Sequence, residues 1–171
     1  MWDSAKNIVT LARVSDGLDW PIFVAGPTSD PVAMGELTLM GDLAHSALLA
    51  RMQHAAIFVS PALYEPFGLS VLEAASAGCA LVLSDIPTFR ELWGDAAVFV
   101  APDDAAAARN AINRLIADRV LRASLAARAR RRALTYAPEA CTQATLEVYR
   151  RVLKKAARPD ESEGDLLRAA G

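Results

Sequence analysis

An α/β fold, a parallel sheet with helices on both faces, follows from three observations in the sequence. Short apolar runs such as Ile22-Phe23-Val24-Ala25, Ala56-Ile57-Phe58-Val59-Ser60 and Ala80-Leu81-Val82-Leu83 are continuous, not alternating. That is the pattern of strands buried on both faces of a parallel sheet. These runs alternate with segments of helical periodicity, the order that produces a doubly wound, Rossmann-like sheet with right-handed crossovers. Apolar residues make up 53% of the 171 and charged residues 22%, which suits a single well-packed domain and not a disordered chain.

The elements follow in order. Residues 3 to 17 are predicted as a helix, with Ile8, Val9, Leu11 and Ala12 at its apolar positions and Gly17 at its end. The strand at 22–25 closes on Gly26-Pro27, and Thr28 to Gly35, rich in Pro, Gly, Asp and Ser, is a loop. Glu36 to Met40 is a short strand, after which Gly41-Asp42 turns the chain into a helix from His45 to Gln53. The central strand at 56–60 leads to a helix over Pro66 to Ala77, because proline is favoured in a first helical turn. Ala80 to Leu83 is a strand, Pro87 to Leu92 a short helix and Ala97 to Val100 the last of five strands. Asp103 or Asp104 then caps a helix in which Ala108, Ile112, Leu115 and Ile116 share a face. A second helix runs to Ala133, and Pro138 opens a final helix to Lys155 with Glu147 and Arg151 one turn apart. Residues 1–157 thus read as one domain and 158–171 as a flexible polar tail.

The stretch from Pro61 to Ala75 carries the chemistry. A helix starting at Pro66 places the amides of Phe67, Gly68 and Leu69 among the first four, which have no partner inside the helix. With the positive end of the helix dipole they form a site for phosphate or electron-rich hydroxyls, and Gly68 lets a ligand approach the backbone. Glu65 precedes the helix, and Glu73 lies seven residues after Pro66, about 10 Å along the axis. Positions 66, 70, 73 and 77 share one small or polar face, so an elongated ligand can touch Glu65 at one end and Glu73 at the other. Taken singly, Glu65 reads as a helix cap and Glu73 as a solvated helix residue. Joined by Pro66-Phe67-Gly68-Leu69, they favour the ligand reading.

Glu65-Pro66-Phe67-Gly68-Leu69, followed by Glu73 with seven residues between the two carboxylates, resembles the signature of retaining glycosyltransferase family 4, found in the C-terminal, donor-binding domain of GT-B enzymes. The segments Trp2 to Asn7, Val24-Ala25-Gly26-Pro27, Gly78 to Pro87 and Arg90-Glu91-Leu92-Trp93 agree with it in order and spacing. In the resembled family the domain opens with a strand ending in Gly-Arg, and five residues separate that arginine from a lysine. Lys6 keeps the lysine place, and the arginine place falls one residue before Met1. The resemblance therefore implies a GT-B C-terminal domain that lacks its first strand, the central one of a 3-2-1-4-5-6 sheet, and lacks the N-terminal acceptor-binding domain. A break is expected between the strands at 22–25 and 56–60.

Site roles follow from the resemblance. Phe67, Gly68 and Leu69 would present amides to the sugar and diphosphate of a nucleotide sugar, and Glu65 would hold sugar hydroxyls near the reacting carbon. Glu73 would accept hydrogen bonds from the ribose hydroxyls, and Leu43 would meet the base through its backbone. Lys6 would neutralise the leaving diphosphate, although alone it reads nearly as well as a solvated helix lysine. No Asp-x-Asp motif is present, and no metal or other cofactor is expected. The implied activity is transfer of a hexose with retention of anomeric configuration. The alternative is a non-catalytic nucleotide-sugar binding fragment, or one half of a split enzyme.

The remaining polar residues read more plainly. His54 falls where it can cap the carbonyls of its helix, and His45 lies near the base site without forming a triad pattern. Arg128, Arg130, Arg131 and Arg132 read as a solvated helix face. Cys79 and Cys141 lack metal-ligand spacing and read as buried thiols. A net charge of −2 argues against nucleic acid as a partner. No apolar run reaches the roughly 18 residues that span a bilayer and no signal-peptide pattern follows Met1, so the cytoplasm is the expected compartment, with membrane association only through the missing domain.

Overall fold

The computed structural model describes residues 4–27 and 35–156. The chain divides into two compact units, Met1–Leu134 and Thr135–Gly171. The predicted tail at 158–171 and most of the predicted loop at 28–35 lie outside the described residues.

The first unit holds α1 (Ile8–Ser15), β1 (Phe23–Val24), β2 (Thr38–Leu39), α2 (His45–His54), β3 (Ile57–Ser60), α3 (Leu69–Ala77), β4 (Ala80–Ser84), α4 (Pro87–Trp93), β5 (Ala97–Val100), α5 (Ala105–Ala117) and α6 (Arg119–Leu134). All the strand pairs are parallel. β4 is central to a sheet of order β3-β4-β5 and is buried along its whole length, as its unbroken apolar run requires. Its side chains alternate between two cores. Leu81 and Leu83 face Val71, Phe89, Trp93, Ala129 and Ala133, whereas Ala80 and Val82 face Val14, Ile112, Leu115 and Leu125. Helices thus cover both faces of the sheet.

β1 and β2 form a separate two-stranded sheet, and among the described residues no ladder joins β1 to β3. The interruption falls where the sequence placed it. Side chains bridge the gap: Val59 of β3 packs against the cluster formed by Leu11 of α1, Val24 of β1 and Leu37.

Two helix boundaries differ from expectation. The predicted helix at 3–17 is broken at Asn7, which adopts the left-handed conformation with φ +54° between a 3-10 turn at Ser4–Lys6 and α1. Asn tolerates this region, and here its side chain rewards it. Nδ2 donates to the carbonyls of Pro61 at 2.9 Å and Pro102 at 2.8 Å, while Oδ1 accepts from Thr10 Oγ1 at 2.8 Å. The second correction concerns Pro66, which lies outside α3. The helix starts at Leu69 because Gly68, at φ +84°, reverses the backbone immediately before it.

Elsewhere the local rules hold. Asp104 caps α5 by accepting from the Ala107 amide, and the buried side of α5 is Ala108, Ile112 and Leu115. In the second unit, Pro138 opens α7 (Pro138–Ala156), along which Arg151 donates to Glu147 at 2.5 Å. The basic run is not simply a solvated face. Arg132 donates to the carbonyls of Glu91 and Leu92 near the end of α4, and Arg128 lies 3.9 Å from Asp95, leaving Arg130 and Arg131 exposed.

The cysteines also part from the expectation of two buried thiols: Cys79 is buried and Cys141 is exposed. Burial pushes the Cys79 thiol up to about 11, so at neutral pH it carries no reactive thiolate. In native protein, iodoacetamide is expected to alkylate Cys141 and spare Cys79, as read by peptide mass spectrometry. Equal labelling of both would contradict the buried placement.

Candidate donor-binding site

Of the residues singled out in the sequence, Glu65, Phe67 and Gly68 lie in the loop between β3 and α3 and Lys6 meets Glu65 there, whereas Leu69 and Glu73 are on α3 and Leu43 is on the β2–α2 loop. Three ties fix the β3–α3 loop against the start of the chain. The Leu63 amide donates to the Ala5 carbonyl at 2.8 Å, Asn7 holds the Pro61 carbonyl, and Lys6 Nζ lies 2.5 Å from Glu65 Oε2. Lys6, half exposed, is therefore ion-paired as well as solvated. Because the helix breaks at Asn7, Lys6 stands on the preceding 3-10 turn and meets the carboxylate across the sequence.

Glu65 is engaged through both oxygens. Oε2 pairs with Lys6, and Oε1 accepts from the Gly68 amide at 3.1 Å. The bond to the Gly68 amide is a closing role of the kind the cap reading gave Glu65, and its side chain stays only 13% exposed. This corrects the role expected for Gly68, whose amide is already bonded and whose α-carbon does not face open space. A Cβ there would lie 3.1 Å from Phe89 Cε1 and from Val71 Cγ2 and 3.3 Å from Glu65 Cγ. Glycine is required by the turn and by its packing on Phe89. Phe67 is half-buried beside it, and Leu69, the first residue of α3, is 69% exposed. With the helix start three residues later than predicted, the amides that lack an acceptor within the helix begin at Leu69, the last of the three expected, and continue to Ser70.

Glu73 lies in the second turn of α3, with Val71, Ala74 and Ala75 buried beside it and its own side chain 31% exposed. Starting the helix at Leu69 shortens the reach from helix mouth to Glu73 to about 6 Å along the axis. His45 Nε2 donates to Glu73 Oε1 at 2.9 Å. That contact, absent from the sequence reading, ties the β2–α2 loop carrying Leu43 to the carboxylate. Its only signal in the sequence was the position of His45, two residues beyond Leu43. His54 behaves as predicted, with Nδ1 donating to the Ala50 carbonyl of its own helix.

At the end of β4 the Arg90 guanidinium bonds both carboxylate oxygens of Asp85 and lies over the Phe99 ring. The hydrogen bond from Arg90 holds the Asp85 carboxyl below its usual range. Among the described residues no group of three or more His, Cys, Asp or Glu side chains is placed to hold a metal ion, and no helix is long and apolar enough to cross a membrane.

The site as a whole offers a cation, two carboxylates and a helix N-terminus around the segment that follows β3. That set suits a ligand with a diphosphate and several hydroxyls. Comparison with known proteins gives the same direction. Residues 35–132 match the family model described as glycosyl transferases group 1. The chain is 40% identical over 114 residues to a glycogen synthase of Mycobacterium tuberculosis, a match covering 64% of this chain and 27% of that protein. It is 32% identical over 142 residues to a phosphatidyl-myo-inositol mannosyltransferase of Mycolicibacterium smegmatis, covering 77% of this chain and 37% of that protein. Its backbone superposes on sucrose-phosphate synthase from Thermosynechococcus elongatus with a TM-score of 0.77 at 24% identity, over 90% of this chain and 44% of that one. The matches span less than half the length of each of these proteins.

Proposed function

The chain belongs to the glycosyl transferases group 1 family and has the GT-B Rossmann-like fold, and from that premise we propose that it is the donor-binding part of a retaining glycosyltransferase of family 4. It takes a nucleotide diphosphate sugar and gives up its hexose to an acceptor hydroxyl held by an N-terminal domain, with retention of configuration and without a metal. Its place is the cytoplasm, and contact with a membrane is made through that other domain. The observation that carries the reading is the meeting of Lys6 with Glu65 at the mouth of α3.

Each residue has a task in this reaction. The bond between the anomeric carbon and the diphosphate oxygen breaks, and the leaving diphosphate gains negative charge. Lys6 and the amides at the start of α3 stabilise that charge most where it is greatest, which lowers the barrier and does more than tighten binding. Glu65 holds sugar hydroxyls beside the reacting carbon, with Phe67, Gly68 and Leu69 shaping the loop around it. Glu73, a pure acceptor, takes the ribose hydroxyls, and the backbone near Leu43 takes the base. The acceptor must be held against the donor carbon for transfer, so the 171-residue chain is expected to bind donor without turning it over.

Titration calorimetry with ADP, GDP and UDP tests the division of roles. Glu73→Ala is expected to weaken the preferred diphosphate by about 1–3 kcal/mol, the scale of a lost hydrogen bond to a charged acceptor. Glu65→Ala should leave it nearly unchanged and reduce only the added affinity of the sugar conjugate. Equal losses on the sugar-free nucleotide would refute this assignment, as would tighter binding of single-stranded nucleic acid than of any nucleotide sugar.

A further inference from the structure

We propose that His45 is a positioning residue for Glu73: it fixes the carboxylate that receives the ribose and couples it to the loop that receives the base. The inference rests on the proposed role of Glu73 and goes beyond it. The hydrogen bond from Nε2 engages Oε1 at 2.9 Å, and it does not use the acceptor capacity of Oε2. A glutamate on an exposed helix face otherwise samples several rotamers, and the rotamer freedom lost on binding weakens affinity.

The bond has little to do for the fold itself. The His45 side chain is 68% exposed, and exposed pairs of this kind add little to stability. α2 and α3 are already joined by buried apolar contacts of Met52, with Leu48 and Leu49 packed on the same core. His45 is also the first residue of α2, directly after Leu43 and Ala44, and Ala44 supplies no side-chain cap. The imidazole therefore reaches from the end of the β2–α2 loop to α3. A base held near Leu43 and a ribose held at Glu73 are registered against each other through this one side chain.

The test measures ribose preference, the ratio of affinities for a nucleoside diphosphate and its 2′,3′-dideoxy counterpart, by calorimetry on the 171-residue chain with ADP, GDP and UDP. His45→Ala is expected to lower that preference about threefold to tenfold with the melting temperature unchanged. His45→Gln, which keeps a donor, should restore most of it, and His45→Ala added to Glu73→Ala should cost nothing more. If Glu73→Ala abolishes the preference while His45→Ala leaves it intact, or if His45→Gln is as weak as His45→Ala, the positioning role is wrong and the ribose role of Glu73 stands. If Glu73→Ala itself leaves the preference intact, or none of the diphosphates binds, the proposed function fails and the inference fails with it.

Discussion

Phe89→Ala is expected to remove about 3–5 kcal/mol of folding stability. Phe89 is completely buried on α4, in the core shared by Val71, Leu81, Leu83 and Trp93. Truncation removes its transfer energy and leaves a cavity whose walls belong to the sheet and to α3, neither of which can collapse into it. Against a total of about 5–15 kcal/mol for a domain, that is a large fraction. The effect reaches the site because Phe89 Cε1 is the floor under Gly68, 3.1 Å from where a Cβ would stand. Gly68→Ala meets the same wall from the other side and adds the strain of a side chain at φ +84°, for about 1–3 kcal/mol. Urea denaturation measures both. A Phe89→Ala protein within about 1 kcal/mol of the parent would show that the loop does not rest on this ring.

That floor was not legible in the sequence. Pro66 carried a true preference, since proline suits a first helical turn, but Gly68 two residues later imposed a left-handed turn and moved the helix start to Leu69. Local propensity loses there to a backbone reversal held by Glu65 and packed on a residue twenty-one positions downstream. The same limit explains Asn7. Its side chain links carbonyls after β3 and β5, contacts of long sequence separation that periodicity does not carry, so a broken helix read as a continuous one. What the sequence did carry was whatever repeats at short range. The unbroken apolar run of β4 located a strand paired on both sides, and the acidic residue ahead of α5 located its cap. The lack of a ladder between β1 and β3 among the described residues was expected from the family resemblance, whose opening strand has a definite, central place in the sheet order.

Lys6→Ala, in a transferase that joins these residues to an acceptor-binding domain, is expected to lower kcat about 10²- to 10³-fold, the usual cost of deleting one group that stabilises charge at the transition state. The argument starts from the ion pair with Glu65. Lys6 is half exposed, so the pair adds little to stability and the melting temperature should hardly move. Its effect is on position: the lysine is held at the mouth of α3 by a carboxylate whose other oxygen holds the Gly68 amide. In the proposed reaction an arriving diphosphate would offer Lys6 more negative charge than one carboxylate does, and Glu65 would then be free to take sugar hydroxyls in exchange. The two substitutions should therefore diverge on the 171-residue chain. Lys6→Ala weakens nucleoside diphosphate binding, whereas Glu65→Ala leaves it unchanged or improves it by releasing the lysine. Lys6→Arg keeps the charge and should retain most of the affinity. If Lys6→Ala binds the diphosphate as tightly as the parent, the lysine serves only to anchor Glu65, and the stabilisation of the leaving group must come from the amides at Leu69 and Ser70.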